Sequence, residues 1–321
     1  MLTWSPKIAP GTRPEFIVVG GPTASGKSAV ALELAKALTG TIICCDSVQI
    51  YRGFDIGSAK PSKAEQAEVP HVLFDEFSWN EPCDAAIYAA KARQAIATIL
   101  QNGRMPIVVG GTGLYLRAVL GQSWDEDVPS DEALRHKLAE RTSEDLFAEL
   151  SNRDPARAAQ LHQNDRFRVI RALEINILTG RPVPMPSAQK EPEHRHLMIF
   201  MNPSRDELHE RINRRTELLI KAGLLAEAQA LLHSGVSPTC KPFKSIGYKE
   251  AAAMIEGRLT PERLVETIAT ATRQYAKRQV TWFKKVPWDA ELTRESDAPE
   301  LLTRLTNLLN VTKDSPSSLV R

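Results

Sequence analysis

The sequence lacks the features that would place a protein in a membrane or mark it for export. None of its apolar runs approaches the ~18 residues of a membrane span, and residues 1–14 have no apolar centre like that of a signal peptide. Its 4 cysteines fit neither a disulfide framework nor a zinc site. We therefore expect a cytoplasmic protein without a membrane segment, with a short disordered lead-in over residues 1–14.

A strong excess of charge is also missing. The 41 Lys and Arg residues against 39 Asp and Glu residues leave a net charge of +2, which by itself indicates no partner. The 42% of hydrophobic and 25% of charged residues are typical of globular proteins, and 321 residues suffice for one large domain or two ordinary ones. Function must therefore be sought in motifs rather than in composition.

The most informative motif is GPTASGKS, which matches the phosphate-binding pattern G-x-x-x-x-G-K-[ST] in full and lies between a predicted strand and a predicted helix. Backbone N–H groups of such a loop, together with the positive end of the helix dipole, bind phosphate oxygens. Lys27 adds a positive charge, and the Ser28 hydroxyl is placed to hold a phosphate-bound Mg²⁺. We predict a di- or triphosphate ligand, Mg²⁺ as cofactor, and a phosphate loop (P-loop) made of Gly21, Pro22, Thr23, Ala24, Ser25, Gly26, Lys27 and Ser28.

Short, densely apolar runs predict strands buried on both faces of a parallel sheet. Helical patterns lie between them, so the order predicts an α/β fold: a P-loop parallel sheet core with helices on both faces and a helical insertion domain. The predicted strands are Glu15–Gly20, Thr41–Cys45, Pro106–Gly110 and His196–Met201. The predicted helices of the core are Lys27–Leu38, Asp84–Gln101, Gly113–Leu120 and Thr260–Lys285.

Strand signals vanish between residues 122 and 193, where charged helical patterns at Asp131–Leu150 and Asp165–Leu178 predict the insertion. We expect the catalytic core to comprise residues 15–121 and 194–312, including the C-terminal helices. Residues 313–321 are polar, and we expect them to be a frayed tail.

Asp46 ends the second predicted strand, whereas the third ends in Gly110-Gly111 instead of the acidic residue that holds nucleotide-bound Mg²⁺ in an ordinary P-loop ATPase. A carboxylate that faces the P-loop is suited either to hold magnesium or to act as a general base. A lone aspartate at a strand end is otherwise a local cap, so spacing alone leaves these roles open.

Six motifs, in order, resemble the tRNA dimethylallyltransferase (tRNA isopentenyltransferase) family over about residues 16–284: GPTASGKS, DSVQIYRGFDIGSAKP, GGTGLYLRAVL, NDRFRVIRALE, KSIGYKE and AKRQVTWF. The sequence has no Cys/His zinc module like that of eukaryotic members, so it resembles the compact bacterial form. The resemblance implies transfer of the dimethylallyl group of dimethylallyl diphosphate to the exocyclic amine (N6) of the adenine immediately 3′ of the anticodon, giving N6-(dimethylallyl)adenosine.

The resemblance also implies roles for individual residues. Asp46 is the expected base for the adenine amine, Thr112 the expected hydrogen-bonding residue near the reacting centre, and Arg215 the expected cation for the diphosphate. Arg211 lies four residues before Arg215 on the same predicted helix face. For Arg211 a structural role and a functional role stay open.

The expected second substrate is the tRNA anticodon stem–loop, bound by a monomer. Residues 267–288 contain no acidic residue but several Lys and Arg, which suits a phosphate backbone, and the insertion adds Arg166. The resemblance implies that Gln49 is the reader of a flipped adenine, and it also implies the further RNA contacts that follow. The candidate tRNA contacts are Asp46, Ser47, Val48, Gln49, Arg135, Phe167, Arg168, Val169, Ile170, Arg171, Lys244, Gly247, Tyr248, Lys277, Arg278, Gln279 and Trp282.

Two other interpretations account for part of the sequence. A P-loop kinase for a small metabolite explains Gly21–Ser28 but gives no use to the insertion or to the basic C-terminal helix. A non-catalytic RNA-binding module with a vestigial P-loop conflicts with the intact Lys27, Ser28, Asp46 and Thr112. Preference for dimethylallyl diphosphate over ATP–Mg²⁺ discriminates the transferase from the kinase.

Overall fold

The computed structural model describes residues 2–9, 11–121, 130–183 and 195–310. The predicted frayed tail, residues 313–321, lies outside the described residues. By the density of internal contacts the chain divides into two compact units, Met1–Leu120 with Glu193–Arg321, and Gly121–Pro192. We call the first the core unit and the second the insertion.

The described part of the core unit contains one sheet of seven strands in the order β1-β7-β6-β2-β5-β3-β4. The strands are β1 (Leu2–Trp4), β2 (Phe16–Gly20), β3 (Gly40–Cys44), β4 (His71–Val72), β5 (Met105–Gly110), β6 (His196–Met201) and β7 (Ala290–Leu292). All neighbouring pairs are parallel except β1 and β7. The predicted α/β class is therefore confirmed, with a mixed sheet in place of a purely parallel one.

The expectation of a disordered lead-in over residues 1–14 is wrong for its first residues. Leu2, Thr3 and Trp4 pair with Leu292, Glu291 and Ala290 as an antiparallel edge strand. Leu2 is buried, and Lys7 donates its backbone N–H to Asp289 Oδ1 at 2.8 Å. A three-residue strand has too little apolar sequence to be recognised alone, because its stability comes from a partner far along the chain.

Helices cover both faces of the sheet. In chain order they are α1 (Lys27–Ala37), α2 (Lys63–Glu68), α3 (Ala85–Gln101), α4 (Gly113–Val119), α5 (Glu132–Ala139), α6 (Ser143–Arg153), α7 (Pro155–Ala158), α8 (Arg166–Thr179), α9 (Arg205–Lys221), α10 (Leu224–His233), α11 (Tyr248–Ile255), α12 (Pro261–Phe283) and α13 (Ala298–Asn310). Successive side chains of a strand point to opposite faces. In β2, Ile17 and Val19 accordingly pack with α1 and α13, while Phe16 and Val18 belong to the cluster that includes α3, α4, α11 and α12.

The described part of the insertion consists of α5 to α8 around its own small core, which includes Leu138, Leu146, Leu150 and Leu173. The predicted helix Asp131–Leu150 is two helices, because Thr142 begins α6 by accepting the N–H of Asp145 at 3.1 Å. The second predicted helix, Asp165–Leu178, corresponds to α8, which Asp165 caps. Among the described residues no helix is long and apolar enough to cross a bilayer.

Candidate active site

A cavity of about 450 Å³ lies in the core unit at the carboxyl ends of the parallel strands. The P-loop residues Thr23, Lys27 and Ser28 contribute to its lining. Further lining comes from the loops after β3 and β5, from α9 and α12, and from residues 241–247 before α11. The predicted site residues that meet here are Asp46, Ser47, Val48, Gln49, Arg215, Lys244, Gly247, Arg278 and Gln279.

The P-loop has the backbone conformation that anion binding requires. Gly26, the residue before α1, has φ 87°, and Ala24 has φ 61°, a region that L-residues rarely adopt. Lys27 folds back over the loop and donates to the Pro22 carbonyl at 3.2 Å. Ser25 is buried, and its hydroxyl has no hydrogen-bond partner among the described residues.

Two of the cations that line the cavity, Lys27 and Arg215, lack a carboxylate within ion-pair distance among the described residues. Burial and the nearby Arg215 lower the pKa of Lys27 to about 8, against a smaller opposing effect of Asp46. Burial also lowers the pKa of Arg215. Among the described residues Arg215 forms hydrogen bonds only with neutral groups, the Thr23 hydroxyl and the Ser58 carbonyl, each at 3.4 Å. Such a pair of cations is stabilised when an anion binds between them.

Asp46 is fixed by the turn that follows β3. Its Oδ1 accepts the backbone N–H groups of Val48 at 2.8 Å and Gln49 at 3.2 Å. Among the described residues Oδ2 has no hydrogen-bond partner, so this oxygen is available to a ligand in the cavity. The carboxylate therefore acts as a local cap and presents an acceptor to the cavity at the same time.

Thr112 supports this turn from behind. Its hydroxyl oxygen accepts the N–H of Ser47 at 3.1 Å, and Thr112 is not among the residues that line the cavity.

The absence of an acidic residue at the end of β5 has a steric reason. A Cβ at Gly110 would lie 1.8 Å from the Cys45 carbonyl oxygen, and one at Gly111 would lie 2.4 Å from Gln279 Nε2.

Gln279 connects the P-loop with the loop after β5. Its Oε1 accepts the N–H of Thr23 at 2.9 Å, and its Nε2 donates to the Gly111 carbonyl at 2.9 Å. Both ends of the buried amide are thus engaged within the chain, and Gln279 positions the two loops, while its predicted contact with tRNA stays a prediction. A polar residue on the buried face of α12, in register with Leu264 and Ile268, is the sequence signal that points to it.

Several other predicted RNA contacts of the core unit differ in accessibility. Lys244, Lys277 and Arg278 are exposed, and Arg278 lies 5.8 Å from the Tyr275 ring centroid. Trp282 packs against Gly113. Tyr248 is fully buried, so the expectation that its side chain touches RNA is wrong.

The predicted RNA contacts of the insertion also differ in how exposed their side chains are. Phe167 is 81% exposed, and Arg168 is also exposed beside Asp165 at 2.9 Å. Val169 is 1% exposed, so its side chain belongs to the core of the insertion and is wrongly assigned to RNA. Ile170 packs against the same core. Arg166 donates to the carbonyls of Ala139, at 2.6 Å, and Arg141.

Arg135 and Arg171 both bind the carboxylate of Glu174, which is 0% exposed. Arg135 Nε lies 2.8 Å from Oε2, and Arg171 Nη1 lies 2.6 Å from the same oxygen. Burial alone would raise the pKa of Glu174, but the hydrogen bonds from both arginines outweigh it and lower this pKa. Arg135 therefore connects α5 with α8, whereas Arg171 pairs with Glu174 within α8.

Arg211, left open by the sequence, contributes to a second cavity of about 460 Å³ on which Lys27, Ser28 and Arg215 also border. It donates to Glu207 Oε1 at 2.7 Å and to Glu295 Oε1 at 2.8 Å. A Cβ placed on Gly26 would lie 1.9 Å from Glu295 Oε1, so this carboxylate rests directly on the P-loop. In the structure Arg211 is thus an ion-paired residue at the edge of this second cavity.

The fold and the cavity define a P-loop α/β protein with a candidate phosphate site and a general-base candidate in one cavity. The family profile described as IPP transferase matches residues 49–286. Curated relatives include tRNA dimethylallyltransferase 1 of Trichlorobacter lovleyi, 46% identical over 86% of this chain and 92% of its own, and tRNA dimethylallyltransferase of Desulfitobacterium hafniense, 42% identical over 85% and 89%.

Solved structures agree with the sequence relatives. The full-length tRNA isopentenylpyrophosphate transferase of Bacillus halodurans is similar with a TM-score of 0.69 and 36% identity, over 94% of this chain and 98% of its own. A eukaryotic dimethylallyltransferase acting on tRNA has a TM-score of 0.71 and 29% identity, over 84% and 69%. The chain belongs to the IPP transferase family.

Proposed function

We propose that the protein transfers the dimethylallyl group of dimethylallyl diphosphate to N6 of the adenine immediately 3′ of the anticodon in tRNA, giving N6-(dimethylallyl)adenosine. The observation that carries this proposal is the single cavity in which the P-loop, two cations without carboxylate partners and the Asp46 carboxylate meet. Relatives named tRNA dimethylallyltransferase support it. We take the enzyme to act as a monomer in the cytoplasm.

The P-loop end of the cavity is suited to bind the diphosphate that leaves in the reaction. Backbone N–H groups at the start of α1, from Gly26 to Ser28, are placed to bind its oxygens. The Thr23 hydroxyl and the cations Lys27 and Arg215 lie beside them. As the C1–O bond breaks, negative charge grows on the diphosphate. Preorganised cations stabilise that charge more strongly in a partly buried cavity than in water.

The adenine amine is a weak nucleophile, so its proton must leave as the new N6–C1 bond forms. Asp46 Oδ2 accepts that proton, while Oδ1 stays held by the N–H groups of Val48 and Gln49. The step balances: N6 gains the dimethylallyl carbon, the diphosphate leaves with the bonding electron pair, and the carboxylate becomes a carboxylic acid. Fixed orientation of amine and base supplies a further part of the rate.

Mg²⁺ is compatible with the donors present. Ser28 and Asp46 offer oxygen ligands in the same cavity, and the described residues contain no group of three or more His, Cys, Asp or Glu placed to hold a metal ion. That donor set suits an ion bound mainly by diphosphate oxygens and water, with Ser28 as the protein ligand. When bound, Mg²⁺ would neutralise charge on the diphosphate.

The tRNA contacts that we propose are the exposed members of the predicted set. Lys244, Lys277 and Arg278 of the core unit offer positive charge for phosphates, and Phe167 of the insertion offers an aromatic face for stacking. Gln49, in the cavity, is the proposed reader of the flipped adenine.

The sharpest test is Asp46→Asn, which keeps the size of the side chain but removes the base. We expect the single-turnover rate with saturating substrates to fall by roughly 10²–10⁴-fold, with much smaller changes in the dissociation constants for dimethylallyl diphosphate–Mg²⁺ and tRNA. Asp206→Asn, an exposed substitution in the first turn of α9, serves as the matched control. A near-normal rate in Asp46→Asn excludes Asp46 as the base, whereas a parallel collapse of diphosphate affinity assigns it to magnesium.

The reaction itself is tested with labelled dimethylallyl diphosphate and bulk unmodified tRNA, followed by nucleoside analysis. The expected product is N6-(dimethylallyl)adenosine. Transfer of the γ-phosphate of ATP to a small metabolite, without prenylated nucleoside, would contradict the proposal and favour a kinase.

A further inference from the structure

The side-chain amide of Gln49 is held in one orientation. Its Nε2 donates to the carbonyls of Ser58 at 3.0 Å and Ala59 at 3.1 Å. An amide nitrogen has two protons, so both are used. The opposite orientation would face Oε1 with two carbonyl oxygens and is excluded by repulsion.

Oε1 of Gln49 is therefore the part of the amide left for a ligand. Its one contact among the described residues is the Cys44 thiol at 4.0 Å, a weak donor. Gln49 lines the cavity together with Asp46 and Ser58. The side chain thus presents a hydrogen-bond acceptor and no donor, which matches an amino group such as adenine N6–H₂ and not a ring nitrogen.

The loop that fixes Gln49 has a backbone that needs outside support. Ala59 has φ 50°, in the left-handed region that L-residues rarely adopt. A Cβ at Gly57 would lie 2.6 Å from the Tyr248 ring, so only glycine fits there. Both carbonyls that hold Gln49 belong to this strained segment, and their direction depends on what anchors it.

The anchor is Glu227 on α10. Its carboxylate accepts three successive backbone N–H groups of the loop, from Asp55 at 3.1 Å, Ile56 at 2.8 Å and Gly57 at 3.1 Å. Tyr248 donates its hydroxyl to the same carboxylate and accepts the N–H of Gly57 at 3.1 Å. Burial, with the Glu227 contact, raises the pKa of Tyr248, so the hydroxyl keeps the proton that it donates.

The loop contacts both Gln49 and Arg215, which line different parts of the cavity. The Ser58 carbonyl that accepts from Gln49 also accepts from Arg215 Nη2 at 3.4 Å. Glu227 itself does not line the cavity. A carboxylate outside the cavity therefore fixes a carbonyl that contacts the proposed adenine reader and the proposed diphosphate cation.

We propose that Glu227, with Tyr248, is a positioning residue that orients Gln49 Oε1 as the acceptor for one N6–H of the target adenine. The inference rests on the proposed function and deepens it, since it specifies which feature of the base the cavity recognises. With one N6–H held by Gln49, the other faces Asp46, and the lone pair of N6 is directed to the allylic carbon.

The test measures base discrimination rather than activity alone. Two anticodon stem–loop RNAs are compared that carry adenine or purine, which lacks the exocyclic amine, at the target position, with inorganic diphosphate present. The hydrogen bond between Gln49 and N6–H is expected to contribute about fivefold to the preference of the wild-type protein for the adenine RNA, the effect of one hydrogen bond between neutral groups. Glu227→Gln places an NH₂ group against the loop N–H groups and is expected to lower the ratio by about this factor, as is Gln49→Ala, which leaves only the contact with Asp46.

A residue that only stabilises the fold would lower the melting temperature and leave the ratio unchanged. Glu256→Gln, an exposed substitution at the end of α11, is the matched control and should keep the wild-type ratio. The single-turnover rate of Glu227→Gln is expected to fall at least roughly tenfold with saturating substrates. A folded Glu227→Gln protein with the wild-type ratio overturns the proposal.

If Glu227→Gln does not fold, Tyr248→Phe keeps the ring packing and removes one of the two anchoring groups. Its ratio should fall below that of the wild type, and an unchanged ratio overturns the proposal. A wild-type protein that prenylates adenine but binds both RNAs equally also overturns it and leaves the proposed function intact. A wild-type protein that forms no prenylated adenosine refutes the proposed function instead.

Discussion

Cations are used in opposite ways in the core unit and in the insertion. In the cavity, Lys27 and Arg215 are half-buried beside neutral partners, and this burial lowers the pKa of both. In the insertion, Arg135 and Arg171 share the buried carboxylate of Glu174. The first pair, Lys27 and Arg215, has no carboxylate partner among the described residues and is therefore suited to bind an anion. The second pair, Arg135 and Arg171, has Glu174 as its counterion and stabilises the insertion.

The difference shows why a cluster of basic residues does not by itself identify a binding site. The run NDRFRVIRALE on α8 contains three arginines at helical spacing, yet their environments differ. Arg171 is 16% exposed beside Glu174, whereas Arg168 is 67% exposed and pairs only with Asp165 at the helix start. A cation is available to a ligand when its existing partners are weak or solvated.

Substitutions can test this comparison between the cations of the core unit and those of the insertion. We expect the largest effect on the stability of the insertion. Glu174→Gln removes the charge that Arg135 and Arg171 share, so we expect the insertion to lose about 3 kcal/mol of stability. Hydrogen exchange of the α5 to α8 amides measures it, and Glu140→Gln, an exposed change in the same insertion, is the control. Unchanged protection in α8 would show that the buried carboxylate does not hold the insertion together.

In the core unit the expected loss is in ligand affinity instead of stability. Lys27→Ala removes a charge-assisted contact worth about 1.5–3 kcal/mol, so dimethylallyl diphosphate should bind roughly 10–150-fold more weakly. The melting temperature should stay or rise, because a buried charge is removed, and tRNA binding should be mostly retained. Lys36→Ala, an exposed change at the end of the same helix, controls for helix effects. Unchanged diphosphate affinity would remove Lys27 from the site.

The lowered pKa of Lys27 predicts a pH dependence. Above about pH 8 the folded protein has lost this proton, while an unfolded lysine keeps it up to its ordinary pKa of 10.5. Folding stability contributed by this group therefore rises with pH across that window. Binding shows the opposite trend, because the diphosphate needs the charged amine. Affinity for dimethylallyl diphosphate should fall by about tenfold per pH unit above pH 8, and titration calorimetry on Lys27→Ala should show a flat profile.

The smallest expected effect is on tRNA binding. Arg278→Ala and Arg168→Ala should each make the log–log salt dependence of tRNA affinity shallower by about one unit while leaving dimethylallyl diphosphate affinity unchanged. Arg171→Ala should instead lower the stability of the insertion. A double variant of Arg168 and Arg278 with unchanged affinity at low salt would mean that neither residue contacts tRNA.

The sequence alone predicted the parts of this protein that local patterns control. The central strands β2, β3, β5 and β6 begin and end within one residue of their predicted limits, because a strand buried on both faces needs a run of apolar residues. The P-loop was equally readable, since its glycines and its position between strand and helix follow from the backbone geometry of phosphate binding. The edge strands β1 and β4, and β7 next to β1, have only two or three residues and left no such run.

Tertiary structure alone decided which polar residues are partners. Gln279 meets Thr23 across 256 residues, and Glu227 meets the loop at Asp55–Gly57 across at least 170. Glu174 reaches Arg135 across 39 residues of a separate unit. A hydrogen bond or ion pair depends on angstrom-scale distances that packing sets, and no local pattern encodes them. The sequence thus determined the sheet and the phosphate loop, while packing determined whether each charge binds its own chain or remains available to a ligand.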